Sequence, residues 1–420
     1  MAKNTQPSRS QRVSTKNSAF LRTFRVLKKP LPSSDMPVFP KGPFVVGAGI
    51  SAHQTEGGNT FSDWWRFEQT VLRKRGDDVS GDAVDHWHQY ADDIGLLSDA
   101  GLNAFRCSLE WAKIEPKEGF YDQNAIEHYR HVLRRLRQRR VFACLTLWHF
   151  TLPTWAADHG GMEHPEVRRA FVRFAKRMCR EFEGEVDLWL TMNEPMVYAM
   201  KGYRWGEWPP GIRSFTRTWR VIILLAFLHR RVYRVFKECT HVPVGFAKSF
   251  ISFHVGRRHA LHDRIIAWWK NVVWNDAFFW LTIGSNDAIG VNYYIGETVG
   301  SGGRKQPTDD MGWAIWPEGF RLALLRATKH GLPIYITENG IATEDDGRRI
   351  VYIRKHLAAL KDVKERADIR GYFYWSLLDN FEWDKGFEKR FGLIAVDRST
   401  MQRIPKPSLA ALGRMAKTMR

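Results

Sequence analysis

The sequence predicts an α/β protein, a single-domain (β/α)8 barrel of the TIM type, on three observations. Eight short apolar runs recur along the 420 residues, each followed by a longer stretch with helical periodicity. The runs are apolar on both faces, as expected of parallel strands that have helices outside and packed side chains inside. Neither an interdomain linker nor a shorter repeat interrupts the alternation, and eight β and α units in series imply a closed parallel barrel. The length exceeds an ordinary domain, yet barrels of this kind commonly pass about 250 residues as one unit.

In chain order, residues 1–37 form a basic arm and residues 38–420 the barrel domain. Residues 1–34 contain eight Lys or Arg and no acid, a large part of the net charge of +19. The arm lacks the apolar core of a secretory signal. Its composition fits a disordered tail or a transit peptide, and the tail is the favoured reading. A proline-punctuated lead-in ends near Pro43. The strand candidates follow: FVVGAG (44–49), NAFRCSL (103–109), FACLTLWH (142–149), LWLTMN (188–193), VGFAKSF (244–250), AIGVNYY (288–294), PIYITEN (333–339) and GYFYWSL (371–377).

Amphipathic segments such as 85–101 and 164–183 lie between them. In VLRRLRQRR (132–140), Leu133 and Leu136 share one helical face with arginines elsewhere, which reads as a solvated face rather than a nucleic-acid surface. VIILLAFL (221–228) falls short of the roughly 18 apolar residues of a membrane span and reads as a buried helix. No nucleic-acid motif accompanies the positive charge. The hydrophobic content of 44% excludes wholesale disorder. Cys107, Cys144, Cys179 and Cys239 are widely spaced with no CxxC pair, which speaks against a zinc site or a disulfide framework and fits a reducing, cytoplasmic setting, with organelle targeting by the arm as the alternative.

Polar residues cluster at the C-terminal ends of these strands, where barrels of this type carry their chemistry. Gln54 follows the first strand and Arg106 lies in the second. His149 ends the third, Asn193 and Glu194 end the fourth, Asn292 to Tyr294 lie on the sixth, Glu338 on the seventh and Trp375 on the eighth. Glu194 and Glu338 are far apart in the chain, so only a closed barrel brings them face to face. Two carboxyl groups, one protonated and one ionised, are the minimal machinery for cleaving a glycosidic bond. A single glutamate at a strand end would more often be an ion pair or a cap; two at opposed strand ends favour chemistry.

TMNEP (191–195) and YITENG (335–340) resemble the acid/base and nucleophile signatures of glycoside hydrolase family 1, the β-glucosidase-like enzymes. The resemblance runs through FVVGAGISAHQTEGG (44–58), FRCSLEWAKIEP (105–116), TLWHFTLPTW (146–155), GVNYY (290–294) and WPEGF (316–320) to YFYWSLLDNFEWDKGFEKRFGL (372–393). It implies a retaining exo-β-glycosidase that needs no metal or cofactor, acting on a small β-glycoside or oligosaccharide, with glucosyl favoured over galactosyl or fucosyl. Glu194 is then the acid/base and Glu338 the nucleophile, with Arg106, Tyr294 and Asn292 in support. The resemblance assigns Gln54, His149, Asn193, Trp375, Glu382, Trp383 and Phe391 to the sugar. Glu382 as a carboxylate would accept from sugar hydroxyls and repel a 6-phosphate, which favours a neutral glycone. The alternatives are a non-catalytic sugar-binding protein on the same barrel and a transglycosylase. The sequence departs from the family between the fifth and sixth strands, where 268–294 is short, and in 301–313; both predict a more open pocket mouth. Oligomeric state is not legible.

Overall fold

The computed structural model describes Met1 and residues 42–256, 260–301 and 306–419. The basic arm therefore lies outside the described residues except for Met1. Eight parallel strands close in sequence order, β1 (Val45–Gly49), β2 (Ala104–Ser108), β3 (Phe142–Thr146), β4 (Leu188–Asn193), β5 (Val244–Val255), β6 (Ala288–Val299), β7 (Ile334–Asn339) and β8 (Ile369–Trp375), with β8 pairing back onto β1. All eight predicted runs are strands.

The alternation of side chains divides the core in two. Val45, Ala104, Cys144, Leu188, Leu190, Ala247, Ala288, Tyr335 and Phe373 fill the barrel interior as one cluster. Neighbouring residues point outward to the helices; Trp189, between two interior leucines, packs edge-on against Phe236 at 4.9 Å. Small residues are required where strands crowd. A Cβ at Gly47 would lie 1.7 Å from Ala104 O, and one at Gly340 would lie 1.8 Å from Trp375 O.

The principal helices are α1 (His86–Asp99), α2 (Gln123–Gln138), α3 (Pro165–Glu181), α4 (Phe215–Cys239), α5 (Leu261–Asn271), α6 (Pro317–Ala327), α7 (Asp346–Lys364) and α8 (Pro407–Met419). On α2, Leu133 and Leu136 are buried, and Arg134 and Arg137 lie on the surface in ion pairs with Glu127 and Asp187, as the solvated-face reading expects. The apolar run in α4 is only half buried. Val221, Ile222, Leu225, Ala226 and Leu228 face inward, whereas Ile223 and Phe227 face solvent, because a helix lying on a barrel wall can turn only one side to it. The cysteines are free, and Cys179 and Cys239, distant in sequence, lie near each other where α3 packs on α4.

Two features escape the sequence pattern. β5 and β6 run several residues beyond their predicted ends, paired as far as Val255 and Val299. A hairpin of β9 (Ile394–Asp397) and β10 (Gln402–Pro405) follows the barrel. Among the described residues no helix is long and apolar enough to cross a membrane.

Candidate active site

A cavity of about 350 Å³ opens at the C-terminal ends of the strands, and Glu194 and Glu338 both line it. Each owes its aim to a local irregularity of the sheet. On β7 the interior side chains are Tyr335 and Thr337, so strict alternation would send Asn339 into the pocket. The register instead shifts between Ile336 and Asn339 against β8, Glu338 enters the pocket, and Asn339 turns outward to the Tyr352 hydroxyl of α7 at 2.8 Å. On β4 a shift between Leu190 and Asn193 similarly puts Asn193 into the pocket and Met192 into the outer core. Glu194 then adopts a left-handed conformation, φ 39° and ψ 59°, that few non-glycine residues take. Pro195, fixed in φ, opens the short helix Pro195–Ala199 directly behind it.

The two carboxyl groups have different surroundings. Glu338 accepts from the Arg106 guanidinium at one oxygen and from the Tyr294 hydroxyl at the other, the latter at 2.8 Å. Arg106 is buried and braced by Thr146 Oγ1 at 3.2 Å and Thr337 O at 3.2 Å, so the cation is placed before any ligand arrives. Glu194 instead accepts a neutral hydrogen bond from Asn292 Nδ2 at 3.0 Å. Burial first, and the charge of Glu338 second, push its pKa up to about 8.

One network ties the set together. Asn193 Oδ1 accepts from Arg106 at 2.8 Å and from Asn292 at 3.1 Å. Asn292 is itself held by the Thr337 hydroxyl at 2.6 Å. With its oxygen fixed as the double acceptor, the Asn193 amide donates to His149 Nε2 at 3.0 Å, which leaves the imidazole proton on Nδ1. Among the described residues His149 Nδ1 has no partner, and burial together with Arg106 pushes this ring's pKa well below its ordinary value, so it is neutral.

At the other side of the pocket, Gln54 Nε2 donates to Glu382 at 3.2 Å and to Phe381 O at 2.9 Å. His149 stacks between Trp375 and Trp383, at 6.1 and 6.0 Å. Phe391 lies in the same cluster as Trp375, against Tyr294 and Trp313. Every site residue named from the sequence other than Arg106 and Asn292 lines the cavity, and these two bond directly to the carboxyl groups.

The electrostatics of Glu382 differ from the expectation. Burial, then the charges of Glu338 and Asp384, push its pKa up to about 8, so near neutrality it carries a proton and donates as well as accepts. On the side of the short stretch between β5 and β6, the wall is built by Ser249 of β5, by Ile251 and Ile295 of the strand extensions and by Trp274 of the helical stretch Val272–Asp276.

Lys248 was not picked out from the sequence. It is buried in β5, donates to Ser249 O at 2.6 Å, lies over the Trp274 ring at 4.8 Å and acts electrostatically on Glu194. The signal was present: a lone charge in an apolar strand near its C-terminal end, the same one that marks Glu194. Among the described residues no group of three or more His, Cys, Asp or Glu is arranged to hold a metal ion.

With this geometry in place, the chain was compared with known proteins. It matches the family model described as Glycosyl hydrolase family 1 over residues 36–283 and 286–419. It is 29% identical to beta-glucosidase A of Thermotoga maritima, over 88% of this chain and 96% of that protein. It is 30% identical to beta-glucosidase 47 of Arabidopsis thaliana, over 88% of this chain and 83% of that one. Among solved structures it resembles a beta-glycosidase from Pyrococcus horikoshii, with a TM-score of 0.84 and 34% identity over 91% of this chain and 95% of that one.

Proposed function

The chain belongs to glycosyl hydrolase family 1, and from that premise we propose that it is a retaining exo-β-glycosidase that releases terminal β-D-glucosyl residues, with Glu338 as nucleophile and Glu194 as acid/base. The observation that carries the assignment is the asymmetry of the two carboxyl groups. A guanidinium and a phenol hold Glu338 as an aimed anion, whereas the raised pKa of Glu194 keeps its proton near neutrality.

In the first step a Glu338 oxygen bonds to the anomeric carbon, the bond to the leaving oxygen breaks, and Glu194 gives that oxygen its proton. The glycosyl ester removes the negative charge of Glu338, and with it one of the causes that hold Glu194 above its ordinary pKa. Glu194 therefore becomes a better base as its role changes. It takes a proton from water, the hydroxyl bonds to the anomeric carbon, and Glu338 leaves with configuration retained.

Asn193 has a second amide hydrogen beyond the one given to His149, suited to the sugar 2-hydroxyl. His149 Nδ1, Gln54 and Glu382 offer the remaining polar contacts, and Trp375 and Trp383 the apolar ones. A neutral glycone is favoured, since the pocket lysines Lys201 and Lys385 are engaged by Glu207 and Asp384 rather than open to a phosphate. A transglycosylase would share the first step, and the acceptor would decide between the two. A cytoplasmic location is part of the same reading, supported by the free cysteines.

A 2-fluoro-glucoside with an activated leaving group tests the mechanism, since it slows both steps and lets the ester accumulate. Peptide mass mapping should find the label on Glu338. Label on another residue overturns the assignment, and absence of any hydrolysis of an aryl β-glucoside would return the protein to a non-catalytic sugar-binding role.

A further inference from the structure

Helix α5 presents the wrong side to the barrel. A helix lying on a barrel wall should bury its apolar stripe against the strands and turn its polar side to water. Here Ala267 and Asp263 are buried, while Leu261, Ile265, Ile266, Trp268 and Trp269 each keep between 42 and 68% of their surface exposed. At 100° per residue these five share one arc, which also contains the exposed His262 paired with Asp263. The two indoles lie 5.6 Å apart. Arg264 stands at one edge of the arc and Lys270, ion-paired with Glu297, at the other, and the helix's single carboxylate, Asp263, is turned inward.

The strip amounts to on the order of 600 Å² of apolar surface, at the upper end of the largest patch on an ordinary monomer. That is below the roughly 800 Å² that each partner of a stable protein pair buries. A lipid surface suits such a strip. Indoles settle at the headgroup level, aliphatic side chains enter the acyl boundary, and the flanking Arg264 meets phosphates. A net charge of +19 adds long-range attraction toward an anionic surface.

The face is also placed where docking would matter. The helical run that carries it continues through Val272–Asp276, where Trp274 lines the sugar pocket and donates to Ser249 O at 3.0 Å. Pocket wall and outward face thus belong to one rigid run.

We propose that the outward face of α5 docks the protein on an anionic lipid bilayer, lying in the interface without crossing it, with the pocket mouth beside the membrane. The full chain would be sedimented with phosphatidylcholine vesicles with and without phosphatidylglycerol, at about 0.1 M salt, where surface charges are screened beyond roughly 10 Å. Saturable binding that needs the anionic lipid is expected, with a blue shift of tryptophan emission. Trp268→Ser/Trp269→Ser should lose vesicle affinity by roughly tenfold or more, and Arg264→Glu should lose it on anionic vesicles, while kcat/KM on a soluble aryl β-glucoside is unchanged in both. Retained hydrolysis shows that the variants are folded and keeps this test separate from the glycosidase assignment. The proposal is overturned if the full chain does not bind, if the double variant binds as well as the parent, or if deleting residues 2–34 abolishes binding that the double variant retains. A concentration-dependent dimer dispersed by the double substitution would assign the face to a second copy instead.

Discussion

Asn292 Nδ2 donates to Glu194 Oε1 at 3.0 Å, where Glu338 on the adjacent strand β7 receives a guanidinium and a phenol. A neutral donor holds the first carboxyl group in place without drawing off its proton. A cation and a phenol hold the second as an anion. The separation of roles therefore rests on which neighbours each oxygen has, since the two side chains are chemically identical.

The pH dependence follows from that separation. Glu194 must be protonated to assist departure, so kcat/KM should fall as pH rises through about 8, the value to which burial and Glu338 raise it. The folded chain holds a proton here that the unfolded chain releases near 4.5, so folding stability declines as pH rises from about 4.5 to about 8. Glu194→Gln has no such proton to lose. Its stability relative to the parent should grow across this window, by up to a few kcal/mol, and denaturant titrations at pH 5 and pH 8 that gave equal differences would contradict the raised value.

Leaving groups should separate the acid role from a structural one. Glu194→Ala is expected to spare substrates whose leaving phenol is already acidic and to lose about a hundredfold or more on alkyl glycosides, since general acid catalysis contributes roughly 10²–10⁴ where the leaving oxygen needs a proton. Steady-state rates over a series of aryl and alkyl β-glucosides measure this. Equal losses throughout would count against proton donation.

Arg106 both aims Glu338 and anchors Asn193. Arg106→Met should leave the nucleophile without its cation and lower kcat/KM by about a hundredfold or more. Arg106→Lys should recover part of the charge effect but not the double hydrogen bonding, because an ammonium lacks the planar fork. Equal losses of kcat/KM in the methionine and lysine variants would reduce Arg106 to a packing role.

Lys248 is held near neutrality, its pKa lowered to about 7 by burial, and it acts on Glu194 with the opposite sign to Glu338. Lys248→Met keeps much of the volume and removes the positive charge. The alkaline limb of kcat/KM, near pH 8 where the lysine is already mostly uncharged, should then move to higher pH by only a small fraction of a unit, with little change in KM for the sugar. A limb moved by a full unit would mean that the lysine still carries its charge there.

Eight apolar runs, each followed by a helical pattern, made the barrel legible because a parallel strand buried on both faces has no polar side to show. The ends of β5 and β6 were less legible. Beyond Phe250 and Tyr294 those strands leave the barrel wall, burial becomes partial, and the apolar signal that marks a wall strand lapses while backbone pairing continues. Lys248 was overlooked because a lysine in a strand carries no family signature, although its burial makes it as exceptional as Glu194.

The amino-acid sequence by itself determined the fold class and named the two glutamates and most of the other residues that line the pocket, because short-range pattern and motif order are written along the chain. Only the tertiary structure decided which way those residues point and what charge they carry. Alternation alone would aim Asn339 rather than Glu338 into the pocket, and the register shift between Ile336 and Asn339 reverses this. Likewise the pKa values of Glu194, Glu382 and Lys248 depend on burial and on charges from distant strands. The outward face of α5 was hidden in the same way. Its sequence reads as an ordinary amphipathic helix, and only packing shows that the apolar side faces away from the barrel.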